Sequence, residues 1–191
     1  QMGWELGEEG WRALKKWKSA GFYGGQHVRM AAKADQISID GSEGYNSIDF
    51  SDLPDNFRLS FEVLPRTSSL YYGIEFWTGS DNKKEGYELR FDPVRSKVGL
   101  HRLNGVFLQE DEWQSLYNVS GLDTQTRVEI IIYNDIFDIC INRERTMFQR
   151  ISKNGKITGF SVFAMCGAVR FSDVKLDRIV IWLCLIRSES S

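Results

Sequence analysis

Short runs of alternating apolar and polar residues follow one another along most of this chain. After Gly25 these runs are rich in β-branched and aromatic residues, and turn clusters such as Asp40-Gly41, Asn104-Gly105 and Asn154-Gly155 separate them. Alternation with a period of two is typical of half-buried strands, and many short strands at regular spacing are typical of sandwiches. The pattern predicts an all-β fold, a two-sheet antiparallel sandwich of the concanavalin-like or jelly-roll kind.

The segment from Val128 to Ile151 carries the clearest local signal. Two strands are predicted on either side of Asn134-Asp135, and a third follows the polar stretch from Asn142 to Arg145. Asn and Asp favour tight turns because both tolerate positive φ and bond their own backbone. We therefore expect a three-stranded meander here.

The N-terminal segment from Glu5 to Lys18 has a different pattern. Acidic residues come early and lysines late, as the helix dipole prefers, and Trp4, Trp11, Leu14 and Trp17 fall near one helical face. We expect a short helix followed by a Gly-rich linker in residues 1–25, packing on a sandwich domain formed by residues 26–191.

The run from Ile179 to Ile186 consists of eight apolar residues, too short to span a bilayer and costly to expose at a sheet edge. Either a buried strand or a contact with a partner would keep this apolar run away from water. One hypothesis is therefore a structural accessory or dimerisation domain that contacts a catalytic domain or a second copy through Trp4, Trp11, Trp17 and this run.

Composition narrows the classes of function. The 191 residues carry a net charge of -2, so no basic surface for nucleic acid is expected, and no apolar run is long enough for a membrane helix. Cys140, Cys166 and Cys184 have no metal-ligand spacing, and we expect buried, unpaired thiols in strands. We expect no metal and no cofactor, and unpaired cysteines favour a reducing compartment.

Alternation also sorts the strand residues into two faces. The predicted core face holds apolar side chains: Phe57, Leu59, Phe61, Val63, Tyr72, Ile74, Phe76, Tyr87, Leu89, Phe91, Val128, Ile130 and Ile132. The opposite face mixes rings and charges: Arg58, Ser60, Glu62, Tyr71, Glu75, Trp77, Glu88, Arg90, Asp92, Lys97 and His101.

That mixture suits a sugar, which presents C–H faces to aromatic rings and hydroxyl groups to charged side chains. We expect Trp77 and Trp113, the latter in a loop from Gln109 to Gly121, to be stacking platforms. Glu75, Glu88 and Arg90 are the expected hydroxyl partners. The alternative for each charged residue is ordinary solvated surface.

Catalytic motifs are not found in the sequence. It has no E-x-D-x-x-E strand motif, serine nucleophile elbow, phosphate loop or H-E-x-x-H helix, so we expect a non-catalytic chain with no catalytic residue. The rival hypothesis is a small jelly-roll glycoside hydrolase that uses Glu75 and Glu88 as its two carboxyl groups.

The order of these pieces resembles the C-terminal β-sandwich of family 32 glycoside hydrolases. The resemblance rests on the strand Phe57–Val63, on Gly73-Ile74, on Gly99-Leu100-His101-Arg102, on the meander, and on Phe160–Phe163 followed by Gly167 and Ala168–Leu176. The chain lacks the N-D-P, R-D-P and E-C motifs of the family's catalytic propeller. The resemblance, shared with family 66 carbohydrate-binding modules, implies an accessory module that binds oligo- or polysaccharide, with fructan favoured.

The same resemblance adds Arg102 as a hydroxyl partner, because it occupies the Arg of the family's "vdR" strand. Its alternation with Val98 and Leu100 leaves a buried ion pair as the other interpretation. A carbohydrate-binding role favours secretion, so the compartment stays open between that and the reducing one that the cysteines favour.

Overall fold

A computed structural model describes residues 2–6, 17–21, 28–30, 36–42, 44–51, 53–67, 71–78, 85–104, 113–134, 136–150 and 157–181. These residues form fifteen strands: β1 Met2–Leu6, β2 Trp17–Gly21, β3 Val28–Met30, β4 Ile37–Asp40, β5 Tyr45–Ser51, β6 Phe57–Pro65, β7 Tyr71–Thr78, β8 Glu85–Asp92, β9 Lys97–Asn104, β10 Trp113–Asn118, β11 Thr126–Tyr133, β12 Ile136–Ile141, β13 Glu144–Arg150, β14 Ile157–Met165 and β15 Ala168–Ile181.

The strands form two antiparallel sheets, which confirms the predicted sandwich. Sheet A has eight strands in the order β13-β12-β11-β6-β15-β4-β3, with β1 also paired to β15. Sheet B has seven, in the order β10-β9-β8-β7-β14-β5-β2. Strand β14 therefore lies between β7 and β5, although about eighty residues separate it from β7 in sequence.

The core lies between the inner faces of the two sheets. All thirteen residues predicted for the core face are buried, each with at most 2 % of its surface exposed. Ring pairs join the sheets: Phe76 of sheet B packs against Phe137 of sheet A with centroids 5.3 Å apart. Tyr72 stacks on Phe91 at 5.4 Å, and its hydroxyl donates to the carbonyl of Leu122 over 3.1 Å. Because the inner face of sheet B is buried in this core, only its outer face is open to a binding site.

The predicted meander is confirmed. Strands β11 and β12 meet at a two-residue turn between Tyr133 and Ile136, and Asn134 has a φ of 52°. A second two-residue turn joins β12 to β13, where Asn142 and Arg143 have φ of 50° and 68°. Two successive positive φ values define the turn type whose twist matches a hairpin.

The predicted N-terminal helix is wrong at both of its ends. Met2–Leu6 pairs with β15 in sheet A, and Trp17–Gly21 pairs with β5 in sheet B. Residues 7–16, including Trp11, lie outside the described residues. Trp4 and Trp17 thus belong to strands of different sheets rather than to one helical stripe. Strand pairing outweighs helix propensity here, because propensity is a weak preference that tertiary context overrides.

Three further expectations need correction or completion. Trp113 begins strand β10 and is not in a loop. Cys166 is exposed in the turn after β14 and Cys140 is half-buried, so neither is the buried strand thiol that we expected; Cys184 lies outside the described residues. Ile179 is buried within β15, and residues 182–186 of the apolar run lie outside the described residues. In the part of the chain that is described, no helix has the length and apolar character to cross a membrane.

Candidate functional site

A row of polar residues crosses sheet B on the face opposite the core. Ser161 of β14 pairs with Asp49 of β5 on one side and with Glu75 of β7 on the other. Glu75 pairs with Glu88 of β8, and Glu88 pairs with His101 of β9. Directly paired residues of antiparallel strands share a face, so these five side chains form one line, called here the polar row.

The polar row is largely shielded from solvent. Asp49, Ser161, Glu88 and His101 are 8 %, 1 %, 3 % and 1 % exposed, and Glu75 is partly exposed. Buried polar groups need hydrogen-bond partners, because an unsatisfied one loses its hydration without compensation. Glu88 and His101 are therefore not the ordinary solvated surface that was the alternative for the residues of this face.

Glu75 and Glu88 are held by different partners. The hydroxyl of Tyr45 donates to Oε1 of Glu75 over 3.1 Å, whereas Nε of Arg90 donates to Oε1 of Glu88 over 2.6 Å. Burial, and next the charge of Glu88, raise the pKa of Glu75 to about 8, against smaller lowering effects of Tyr45 and Arg90. At neutral pH Glu75 is thus largely a carboxylic acid, and Glu88 forms the ion pair.

Arg90 also stacks on an aromatic ring. Its guanidinium carbon lies 3.9 Å from the ring centroid of Tyr71 on the neighbouring strand β7. Gly73 is the residue of β7 that pairs with Arg90, and it has no side chain to obstruct this approach. The contact fixes the orientation of the guanidinium group, because both its plane and its charge match the face of the ring.

Trp77 lies on the same face of sheet B, two residues after Glu75 in strand β7. It is partly exposed, and its indole Nε1 donates to Oγ of Ser161 over 2.8 Å. Ser161 in turn donates to Oδ1 of Asp49 over 2.5 Å. The residues paired with Trp77 on its two neighbouring strands are Gly159 and Gly86, so no side chain at those positions crowds its ring.

The structure brings together four of the six predicted site residues. Glu75, Trp77, Glu88 and Arg90 share the outer face of sheet B. The backbone of Trp113 pairs with His101, which gives it the register position at the end of the polar row. Arg102 pairs with the core residue Tyr87 and therefore lies on the other face of the sheet, because adjacent strand residues alternate.

Four neighbours of the site were absent from the predicted set: Tyr45, Asp49, Tyr71 and Ser161. Alternation places Tyr45, Ser47 and Asp49 on one face of β5, but nothing in the sequence pairs that strand with β14. Within the described residues no group of three or more His, Cys, Asp or Glu side chains is arranged to hold a metal ion. The chemistry of this face is that of hydrogen bonds and ring stacking.

Comparisons with known proteins agree on the fold. No family model matches the chain, and no curated protein matches it in sequence. The carbohydrate-binding module CBM66 from Bacillus subtilis superposes with a TM-score of 0.65 at 12 % identity, over 86 % of this chain and 97 % of that one. The exoplasmic/lumenal domain of VIP36, solved with Ca²⁺ and Man3GlcNAc, gives 0.62 at 11 % identity, over 87 % and 84 %.

Alginate lyase AlyC3, solved in complex with dimannuronate, gives a TM-score of 0.56 at 12 % identity over 82 % of this chain and 79 % of that one. Identities this low establish a common fold and nothing finer. The chain is thus a two-sheet β-sandwich similar in fold to CBM66, and a polar, aromatic face lies on the outer side of its seven-stranded sheet.

Proposed function

We propose that this chain is a non-catalytic carbohydrate-binding module and that its binding site is the outer face of sheet B. One observation carries the proposal: Trp77, Glu75, Glu88 and Arg90 lie side by side there, with their polar groups held in place by other side chains. Pre-positioned groups lose less entropy when a ligand binds, which favours recognition over simple solvation.

The chemistry of the site matches that of a sugar ring. The indole of Trp77 offers an apolar face to C–H groups, and its N–H is already engaged with Ser161. Glu75, and Arg90 held in place by its ion pair with Glu88, offer donors and acceptors to hydroxyl groups. Two kinds of contact that every sugar needs are therefore adjacent.

The favoured ligand is a fructan, and the favoured context is association with a glycoside hydrolase. The sequence resemblance to the family 32 C-terminal sandwich and the fold shared with CBM66 support both proposals. Trp113 is retained as a second stacking platform because its backbone pairs with His101 of the polar row. Arg102 is a weaker candidate, since its register places it on the opposite face.

Calorimetric titration tests the proposal, with levan, inulin, sucrose and unrelated glucans as ligands at pH 6.5. We expect dissociation constants near the millimolar range, about -4 to -6 kcal/mol, because only a few rings and hydroxyl partners are desolvated. Trp77→Ala should weaken binding about tenfold or more, equivalent to about 1.4 kcal/mol.

Phe148→Ala is the matched control, because Phe148 is an aromatic residue 56 % exposed on sheet A. It should leave the affinity unchanged. The absence of heat with every polysaccharide would refute the function, whereas equal losses in both variants would refute the site. Heat with glucans but not with levan or inulin would refute the fructan preference alone.

A small glycoside hydrolase is the second candidate. Glu75 and Glu88 occupy paired positions on adjacent strands, and one is largely protonated at neutral pH, as general acid and base require. A reducing-sugar assay with fructans, β-glucans and xylans distinguishes it. Sugar release that disappears in Glu75→Gln would favour the enzyme over the binding module.

A further inference from the structure

We propose that Glu75 serves this site as a hydrogen-bond donor, a neutral carboxylic acid that recognises an acceptor oxygen of the ligand. The inference rests on the proposed function and assigns to Glu75 a role opposite to that of an ordinary acidic residue in a sugar site. An ionised carboxylate only accepts hydrogen bonds, whereas a protonated one also donates. The donor would suit a ring or glycosidic oxygen, which has no proton of its own.

The pairing of Glu75 with Glu88 is the first step of the argument. Their strands are adjacent and antiparallel, and the two residues are direct partners. Paired residues have Cβ atoms about 4.5–5.5 Å apart, and like charges at that separation destabilise a sheet. Two carboxyl groups this close, with little solvent around them, do not both ionise at neutral pH.

The hydrogen bonds decide which of the two keeps the proton. Arg90 donates to Glu88 at 2.6 Å, a hydrogen bond that is also an ion pair. The hydrogen bond to Glu75 comes from Tyr45, a neutral hydroxyl, at 3.1 Å. Of the two carboxyl groups, Glu75 is therefore the one that keeps the proton. The raised pKa of Glu75, about 8, agrees with this assignment.

The charged and titratable groups around Glu75 come from every neighbouring strand. Strand β5 contributes Tyr45 and, beyond Ser161, the carboxylate of Asp49. Strand β8 contributes Glu88 and Arg90, and β9 contributes His101 beside Glu88.

Glu75's own strand β7 contributes Tyr71, whose ring is stacked with Arg90. The Nε of Arg90 is bonded to Glu88, and the charge of Glu88 opposes a negative charge on Glu75. Loss of the proton therefore removes the donor and places a second negative charge beside Glu88.

The test is the pH dependence of the affinity for a neutral oligosaccharide, measured by calorimetry from pH 6 to pH 9.5. The wild-type affinity should be constant below pH 7 and fall at least tenfold by pH 9.5. Glu75→Gln, whose amide donates at every pH, should bind as the wild type does at pH 6.5 and stay constant to pH 9.5. Glu75→Ala should bind weakly throughout.

A flat wild-type profile, or a Glu75→Gln variant as weak as Glu75→Ala at pH 6.5, would overturn the inference. The proton is also measurable without ligand, because ¹³C labelling of glutamate side chains reports each carboxyl titration by NMR. The wild type should show a carboxyl signal that titrates above pH 7 and is missing in Glu75→Gln. If no sugar binds, the proposed function fails; if no carboxyl titrates above pH 7, the protonation of Glu75 fails.

Discussion

The indole N–H of Trp77 points at Oγ of Ser161 over 2.8 Å, and the hydroxyl of Ser161 is in turn directed at Asp49 over 2.5 Å. Ser161 has one proton, so donating it to the carboxylate leaves a lone pair for the indole. The three residues belong to three adjacent strands, β7, β14 and β5. The orientation of the aromatic platform is thus set by a carboxylate two strands away.

Ser161→Ala should release this anchor and weaken carbohydrate binding about three- to tenfold, since a neutral hydrogen bond contributes about 0.5–1.5 kcal/mol. In a Trp77→Phe background the same substitution should have no further effect, because Phe has no N–H. A double-mutant cycle by calorimetry measures this coupling.

Ser60→Ala is the control for the loss of a buried serine hydroxyl. Ser60 is 1 % exposed in sheet A, and among the described residues its Oγ has no hydrogen-bond partner, so its removal should leave the affinity unchanged. Additive losses from Ser161→Ala and Trp77→Phe would contradict the anchor.

Gly73→Ala should destabilise the protein and distort the site. A Cβ at position 73 would lie 2.0 Å from the carbonyl oxygen of Leu89, a backbone atom of the neighbouring strand that cannot move aside without breaking the pairing. Overpacking of this kind costs about 1–3 kcal/mol or more. Urea unfolding should show a lower midpoint, and the affinity for sugar should fall because the pairing of β7 with β8, which the substitution disturbs, holds Arg90 beside Tyr71.

Gly121→Ala provides the comparison. Gly121 has a φ of 77°, but the nearest atom to a Cβ there is 3.7 Å away, so only backbone strain of about 1–2 kcal/mol is expected. Gly121 lies outside the site, so the affinity of this variant for sugar should match that of the wild type. A Gly73→Ala protein with the wild-type midpoint would show that the strands separate more easily than their pairing implies.

Local patterning in the sequence is enough to predict most of the strands after Gly25 and their faces, but it did not predict β1, β2 or β10. The alternation of Phe57, Leu59, Phe61 and Val63 correctly assigns one face of β6 to the core, and the Asn142-Arg143 turn follows from local chemistry. Strand order is a different matter, because pairings between distant segments have no local signature.

The same limit applies to the site. Glu75, Trp77 and Glu88 could be assigned to one face, because β7 and β8 are consecutive strands. Asp49 and Ser161 could not be joined to them, since β14 inserts between β7 and β5 only in the folded sheet. The helix prediction failed for a related reason: the pairing of Met2–Leu6 with β15 is a long-range contact.

Stability should fall as the pH rises through the neutral range because of Glu75. Burial and the charge of Glu88 raise its pKa in the folded state to about 8, above the ordinary value of 4.5 for an unfolded chain. A raised pKa means that the folded state binds the proton more tightly. The stabilisation that the proton on Glu75 provides is therefore complete below about pH 4.5, and it is lost progressively up to about pH 8.

Glu75→Gln removes this dependence, so the difference in unfolding free energy between the variant and the wild type should favour the variant increasingly from pH 5 to pH 8. Urea unfolding at several pH values measures it, and the difference cancels the titration of the groups that do not interact with Glu75. A difference independent of pH would show that Glu75 ionises normally in the fold.

Arg143→Gly should stabilise the meander. Arg143 has a φ of 68° in the two-residue turn between β12 and β13, a conformation costing a residue with a Cβ about 1–2 kcal/mol. Glycine avoids this cost, but its greater conformational freedom in the unfolded chain lowers the stability by about 0.5–1 kcal/mol. Asn-Gly is the preferred pair for such a turn. The net gain should be about 0.5–1 kcal/mol.

Asn142, the residue before Arg143, holds the turn through hydrogen bonds that the substitution does not remove. The backbone N–H of Asn142 donates to the carbonyl of Arg127 over 2.8 Å, and its side-chain oxygen accepts from the N–H of Arg127 over 3.0 Å. Urea unfolding of Arg143→Gly should therefore show a higher midpoint with an unchanged slope. Glu144→Gly, at the first residue of β13, should lower the midpoint because glycine weakens a strand. A lower midpoint for Arg143→Gly would mean that the arginine side chain contributes more to the turn than its strained backbone costs.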